Sequence, residues 1–275
     1  MKIAIISDIH GNMQALEAVL ADIEKEKCTK IFCLGDLAMA GPEPVKAIEK
    51  IKSLYEQGKL ELIQGNTDEM IGNYNEKLAQ KVKNAAPIMG NALESDVKII
   101  PDNLKEFLKN LPPQKELEIE GVKVLFVHGS PRKNDENIFP DLPVEKVEEM
   151  VAGTDADIIF CGHTHMPCGY QTRNKQTIVN DGSVGRPFTP EPKACYVVAE
   201  FHSELQSRSN SDNSNNYPSL AEGSKSLISG KGTLMIQHKF IDYDRQNASE
   251  ILAQRDFEGA DKLAQHLIRP ESRHL

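Results

Sequence analysis

A chain of 275 residues with 39% hydrophobic and 27% charged side chains can bury a sizeable core in one large domain or two small ones. Its net charge of -9 and pI near 5.5 argue against nonspecific binding to nucleic acid duplexes or anionic membranes. No stretch approaches the ~20 apolar residues of a membrane span, MKIAIISDIHGN is not a signal peptide, and the five cysteines form no CxxC pair, so a cytoplasmic protein without a disulfide framework or thiolate zinc site is expected.

The first apolar run, KIAIIS (2–7), reads as a strand covered on both faces. Met13, Leu16, Leu20 and Ile23 then follow helical spacing, KIFCL (30–34) is a second strand, Val45, Ile48, Ile51 and Tyr55 mark a second helix, and LELIQ (60–64) is a third strand. Residues 70–115 read as a helical excursion, either a lid beside a site or packing helices, with Asp102 capping a helix that carries Leu104, Phe107 and Leu108. Strands dominate thereafter: VKVLFVH (122–128), DIIFC (157–161), TIVN (177–180), ACYVVAEF (194–201) and TLMIQHKF (233–240). The order predicts a single α/β domain over 1–275 with a largely parallel first half and antiparallel later pairings. Residues 202–232, rich in Ser, Asn and Gly, read as a disordered insertion in a hairpin, because they cannot bury enough apolar surface to offset their ordering entropy. The segment SEILAQRDFEGADKLAQHLI predicts one or two covering helices interrupted at Gly259, and His202, His238, His266 and His274 are assigned to surface or packing.

The chemistry-bearing residues share one kind of position. Asp8 and His10 follow the first strand, Asp36 the second, and Asn66, Thr67 and Asp68 the third; His128 ends VKVLFVH, and His163 and His165 follow DIIFC. In open α/β sheets ligands bind at the carboxyl ends of strands. Taken singly, each feature also reads as a turn, a capped loop or a satisfied histidine; five such strand ends together favour a shared site. The donors Asp8, His10, Asp36, Asn66, His128, His163 and His165 combine carboxylate, amide and imidazole, which suit Mn, Fe, Zn, Ni or Co. Seven donors are too many for one tetrahedral ion and fit two, bridged by a carboxylate at ~3.5–4 Å.

In order, SDIHGN, LGDLA, QGNTDEM, VHGSPR and CGHTHMP resemble the DxH…GD…GNxD…HG…GHxH pattern of the calcineurin-like metallophosphoesterase superfamily. GDLAMAGPEP, VHGSPR and DGSVGRP are similar to its small bacterial and archaeal branch, which includes phosphodiesterases and proteins described as serine/threonine phosphatases or diadenosine tetraphosphatases. The resemblance covers residues 1–201 and resumes at 233. It implies a four-layer α-β-β-α sandwich of two mixed sheets and two transition-metal ions, manganese foremost. Asp8, His10, Asp36 and His165 would hold one ion and Asp36, Asn66, His128 and His163 the other, with Asp36 bridging. The implied reaction is hydrolysis of a phosphoester in a phosphorylated small molecule, nucleotide or phosphoprotein, by in-line attack of a metal-bridging hydroxide, with the Asn66 amide donating to a developing oxygen.

One position departs from the family pattern. Many members carry histidine after GN as the acid for the leaving group, and Thr67, too weak an acid, stands there. Activated leaving groups are therefore expected, with Arg132 as a catalytic stand-in and Thr67, Asp68 and Arg186 beside the substrate. The alternative reading is a catalytically weak, metal-binding interaction scaffold. The oligomeric state is left open.

Overall fold

In the first strand, β1 (Lys2–Ile6), Ile3 and Ile5 face one core while Ala4 and Ile6 face another, which is why its apolar run is continuous. The computed structural model describes residues 1–203, 225–229 and 232–269. From β1 the chain runs through α1 (Met13–Lys25), β2 (Lys30–Cys33), α2 (Pro44–Glu56), β3 (Leu60–Leu62), α3 (Asn66–Gly72), α4 (Glu76–Ala85), α5 (Pro87–Ile99) and α6 (Asp102–Lys109). It continues through β4 (Gln114–Ile119), β5 (Val122–Val127), α7 (Val144–Met150), β6 (Ile158–Cys161), β7 (Cys168–Gln171), β8 (Thr177–Asn180), β9 (Ala194–Ser203), β10 (Lys225–Ser229) and β11 (Gly232–Ile241). Two helices follow, α8 (Arg245–Ala253) and α9 (Ala260–Ile268).

The described strands form two mixed sheets, ordered β10-β11-β9-β1-β2-β3 and β4-β5-β6-β8-β7. Between them lies an apolar slab in which Phe126 stacks on Phe32 at 4.2 Å and near Phe160 at 5.5 Å, joined by Ile3, Ile5, Val124 and Val179. The outer face of the first sheet packs on α1, α2, α5, α6, α8 and α9, and that of the second on α7. The layers are helix, sheet, sheet, helix: the four-layer sandwich.

In the first sheet β1 pairs in parallel with β2, and β2 with β3; in the second, β5 pairs in parallel with β6, and β6 with β8. The later half is thus less antiparallel than its strand density suggested. The helices form where apolar spacing placed them. In α1 the Asn12 side chain accepts from the Ala15 N–H, and Leu16, Val19 and Ile23 are buried. Asp102 is not the cap of α6; Pro101 holds that place and Asp102 is the first helical residue, paired with Lys105. The helical excursion ends at Lys109, and β4 follows it.

The hairpin of β9 with β11 is present, in register from Gly232 with Ser203 to Ile241 with Ala194. Within the segment expected to be disordered, Lys225–Ser229 form β10 against β11, whereas 204–224 and 230–231 lie outside the described residues. Gly259, at φ +94°, separates α8 from α9 and caps the latter.

Candidate metal centre

All six strands in parallel pairings end at one place. Asp8 and His10 follow β1, Asp36 follows β2, Asn66 follows β3, His128 follows β5, His163 and His165 follow β6, and the loop from Asn180 to Arg186 follows β8. The loops stay paired beyond the strands: Asp8 N–H donates to the Gly35 carbonyl, His10 N–H to that of Asp36, Gly162 N–H to that of His128, and Gly185 N–H to that of Asp8. Gly35 allows this approach, since a Cβ there would lie 2.1 Å from the Gly65 nitrogen. Asp8, His10, Asp36, His163 and His165 all adopt left-handed backbone, with φ of 53°, 45°, 56°, 69° and 57°. For an L-residue that conformation costs roughly 1–2 kcal/mol. Clustered strain of this kind is a mark of functional sites.

Three imidazoles are fixed in the same way. The Nδ1–H of His10 donates to the Met39 carbonyl at 2.9 Å, that of His128 to Leu34 at 2.8 Å, and that of His165 to Arg186 at 2.7 Å. Each ring then turns Nε2 inward, as a carbonyl behind the ring imposes on a metal-ligating histidine. The Nε2 atoms of His10 and His165 face each other at 3.1 Å, and Nε2 of His128 lies 3.0 Å from the Asn66 Oδ1. A proton or a cation must lie in each gap; without a cation, His10 and His128, both raised above the usual imidazole range by the neighbouring carboxylates against the opposing effect of burial, supply the proton. Asp8 is fully buried, and its Oδ1, 3.2 Å from His165 Nε2, has no hydrogen-bond partner. An orphaned buried carboxylate oxygen among inward-facing nitrogens fits a cation.

Two groups gather around that oxygen, Asp8 with His10 and His165, and Asp8 with Asp36 and His128, each with its ligand atoms within 4.8 Å of one another. Asp36 turns Oδ2 toward His10 at 3.7 Å and Oδ1 toward His128 at 3.4 Å, so it too faces both. His163 stands beside these groups: its N–H donates to Asp8 Oδ2 at 2.9 Å and its ring is 5.2 Å from that of His128.

Charge is tightly coupled here. Burial opposes ionisation of Asp8, but His165, His10 and His128 override it and hold the carboxyl well below its usual range. Burial likewise disfavours a charged His128, yet Asp36 and Asp8 push it up to about 10. Burial brings His163 down to about 4 and also lowers His165. Without a cation, the cluster therefore pairs ionised Asp8 and Asp36 with a charged His128, while His163 and His165 stay neutral; a divalent ion would take the place of the His128 proton.

The remaining expected residues divide. Thr67 is buried, its N–H donating to Asp36 Oδ1 at 2.9 Å and its hydroxyl to the Ala38 carbonyl at 3.1 Å. Asp68 is fully buried and accepts from the N–H groups of Asp36, Leu37 and Gly65; it clamps the β2 and β3 loops together. Burial and the charge of Asp36 push its carboxyl up to about 7. Arg132 is not brought into the site: it lies at the surface, paired with Glu136 and donating to the Glu149 carbonyl. Arg186 is buried close by.

Sequence reasoning did not single out Ser7, Asp96 or Arg255 as supports of the site. Ser7 donates between Asp8 Oδ2 and Asp181 Oδ1; since a hydroxyl has one proton, Asp181 carries the other, and burial together with the charge of Asp8 raises its carboxyl well above the usual range. Asp96 on α5 accepts from the Met39 N–H and pairs with Arg255 at 2.6 Å. No local pattern could link residues 159 apart in sequence. His266, assigned to surface or packing, is buried against Phe188, whose ring stacks on His165.

Residues 1–204 match the calcineurin-like phosphoesterase superfamily domain. An uncharacterised protein of Methanocaldococcus jannaschii is 34% identical over 218 residues, which cover 71% of this chain and 81% of that one. Among solved structures, a hypothetical protein of Pyrococcus horikoshii superimposes with a TM-score of 0.77 at 20% identity, covering 98% of this chain and 99% of that one. A metallophosphoesterase from Sphaerobacter thermophilus gives 0.71 at 21% identity with the same coverage, and both likenesses concern the fold. With its ordered motifs gathered at one set of strand ends and three quarters of its length matched, the chain belongs to the calcineurin-like phosphoesterase superfamily.

Proposed function

We propose that the protein is a di-metal phosphoesterase acting on phosphorylated small molecules, nucleotides or phosphoproteins in the cytoplasm. The observation that carries the reading is the opposition of His10 and His165 Nε2 at 3.1 Å beside the orphaned Asp8 Oδ1. Asp8, His10, His165 and Asp36 would hold one ion, and Asp36, His128, Asn66 and His163 the other, with Asp8 close to both. Manganese is the first candidate for this oxygen and imidazole set, ahead of Fe, Zn, Ni and Co. Bound there, two divalent cations supply a water nucleophile at neutral pH and Lewis-acid charge for phosphate oxygens.

The chain's own residues then orient and position. The carbonyls of Met39, Leu34 and Arg186 fix the imidazoles in the tautomer that coordinates. Asn66, at the first position of α3, can turn its amide N–H groups toward a phosphoryl oxygen while Oδ1 faces the cluster. Asp68 and the Thr67 N–H hold the Asp36 carboxylate and its loop. Because the Thr67 hydroxyl is spent on the Ala38 carbonyl, no side chain at that position protonates a leaving group. Substrates with weakly basic leaving groups are favoured.

The test is hydrolysis of bis-p-nitrophenyl phosphate and p-nitrophenyl phosphate by manganese-supplemented protein, with metal content read by elemental analysis. Turnover that disappears in Asp36→Asn and His128→Ala supports the enzyme. A folded protein that takes up two ions without turnover favours the interaction scaffold, and one that takes up none removes both readings.

A further inference from the structure

Beyond the metal centre lies a second polar feature that the cluster does not use. Arg186 is 7% exposed, yet among the described residues its guanidinium meets no carboxylate: Nη1 donates to the Met89 sulfur at 3.3 Å and the cation lies 5.6 Å from the Phe188 ring centroid. A guanidinium keeps its charge in a protein interior, and a buried charge without a counter-ion is strongly unfavourable. His266, from α9, is 3% exposed and neither ring nitrogen has a hydrogen-bond partner. Its ring meets Phe188 at 4.8 Å, and Phe188 stacks on His165 at 5.0 Å. One aromatic ring therefore joins an unpaired cation, an unpaired imidazole and a candidate metal ligand. Both unmet needs are answered by an anion with several acceptor oxygens, for which arginine has matching geometry.

We propose that Arg186 and His266 form a phosphoryl-binding subsite adjoining the metal centre, which takes the second phosphoryl group of a substrate carrying two linked ones. The inference rests on the phosphoesterase reading for what happens at the first group. The Arg186 carbonyl accepts from His165 Nδ1, which ties this residue's backbone to the metal centre while its guanidinium is left for the subsite. The committed Thr67 hydroxyl points independently to the same substrate class: a departing phosphate is a weak base and leaves without a proton donor. In that cleavage the water oxygen bonds to the phosphorus at the metal centre and the bridging P–O bond breaks. Its electron pair stays on the departing phosphoryl group beside Arg186, and the water protons pass to product oxygens or solvent.

The experiment uses the full chain in two states. In chelator, calorimetric titration with pyrophosphate should show binding that weakens at least tenfold in Arg186→Met and several-fold in His266→Phe. Both variants should melt at or above the wild-type temperature, because each removes a buried polar group without a partner. With manganese, Arg186→Met should lose at least ten times more kcat/KM on a diester of pyrophosphate than on bis-p-nitrophenyl phosphate. Pyrophosphate affinity unchanged in Arg186→Met, absence of pyrophosphate binding by wild type in either state, or lowered melting of both variants overturns the subsite. Arg186-dependent pyrophosphate binding without hydrolysis of any phosphate ester or anhydride would keep the subsite and remove the phosphoesterase reading.

Discussion

Midway along the strands, Phe32, Phe126 and Phe160 stack in an apolar slab. A few residues further on, at the carboxyl ends of the same strands, five of the seven candidate ligands hold left-handed backbone, and a buried carboxylate oxygen goes without a hydrogen bond. The two regions are continuous in the chain but opposite in energetic character. The slab gains from burial and asks for nothing else. The rim stores strain and unmet polar demand, and the clamps of Asp68, Asp96 and Ser7 hold it in shape. Stability and chemistry are thus segregated along single strands, a division expected where activity needs groups held in unfavourable states.

The contrast can be tested from both sides. The largest effect belongs to the slab: Phe126→Ala should destabilise by about 3–5 kcal/mol in urea unfolding while leaving metal stoichiometry unaltered in the folded fraction. A loss below about 1 kcal/mol would show that the slab is not where the fold is held. From the rim, divalent metal at about 100 times its dissociation constant should add about 2.7 kcal/mol per site to wild type, less in Asp36→Asn, read as a shift in melting temperature. Equal shifts in both proteins would remove Asp36 from the ligands.

Proton uptake sharpens the comparison further. Burial, with the nearby charges of Arg186 and His165, holds His266 down to about 4 from 6.5. Between those pH values the unfolded chain binds a proton that the folded chain refuses. Stability should therefore fall on acidification, by up to about 1.4 kcal/mol per pH unit, and that part of the slope should vanish in His266→Phe. Next in size, His163→Gly should raise the stability of the metal-free protein by about 1 kcal/mol, by relieving its left-handed backbone, and weaken one metal site. Smallest of all, Arg132→Met should leave metal binding unchanged and lower melting only slightly, since Arg132 itself is exposed and such pairs are worth little.

Much of this was legible in the sequence. Continuous apolar runs reported doubly covered strands, and a polar residue just past each run marked the rim, because strand ends are where backbone and side chains escape the core. The strands β4 and β7 were not legible: β4 alternates charged and half-buried residues as a sheet-edge strand does, and β7 is four residues long with a glycine. Arg132 and Arg186 looked alike because both follow a motif, and what separates them is a carboxylate at hand for one and, among the described residues, none for the other, a fact of three-dimensional neighbourhood. His266 was passed over for the same reason: its helical spacing fits packing equally well.

Arg255 donates to the Gly41 carbonyl and to Asp96, whose other oxygen receives the Met39 N–H, and the Met39 carbonyl in turn orients His10. The wiring of the candidate metal centre therefore reaches past residue 204, where the family match stops, into the connection between α8 and α9. A protein trimmed to the matched region would lose β11 from beside β9 as well as this tether, and Asp96 would be left buried without its cation. Boundaries drawn from family likeness alone would cut through the working unit of this molecule.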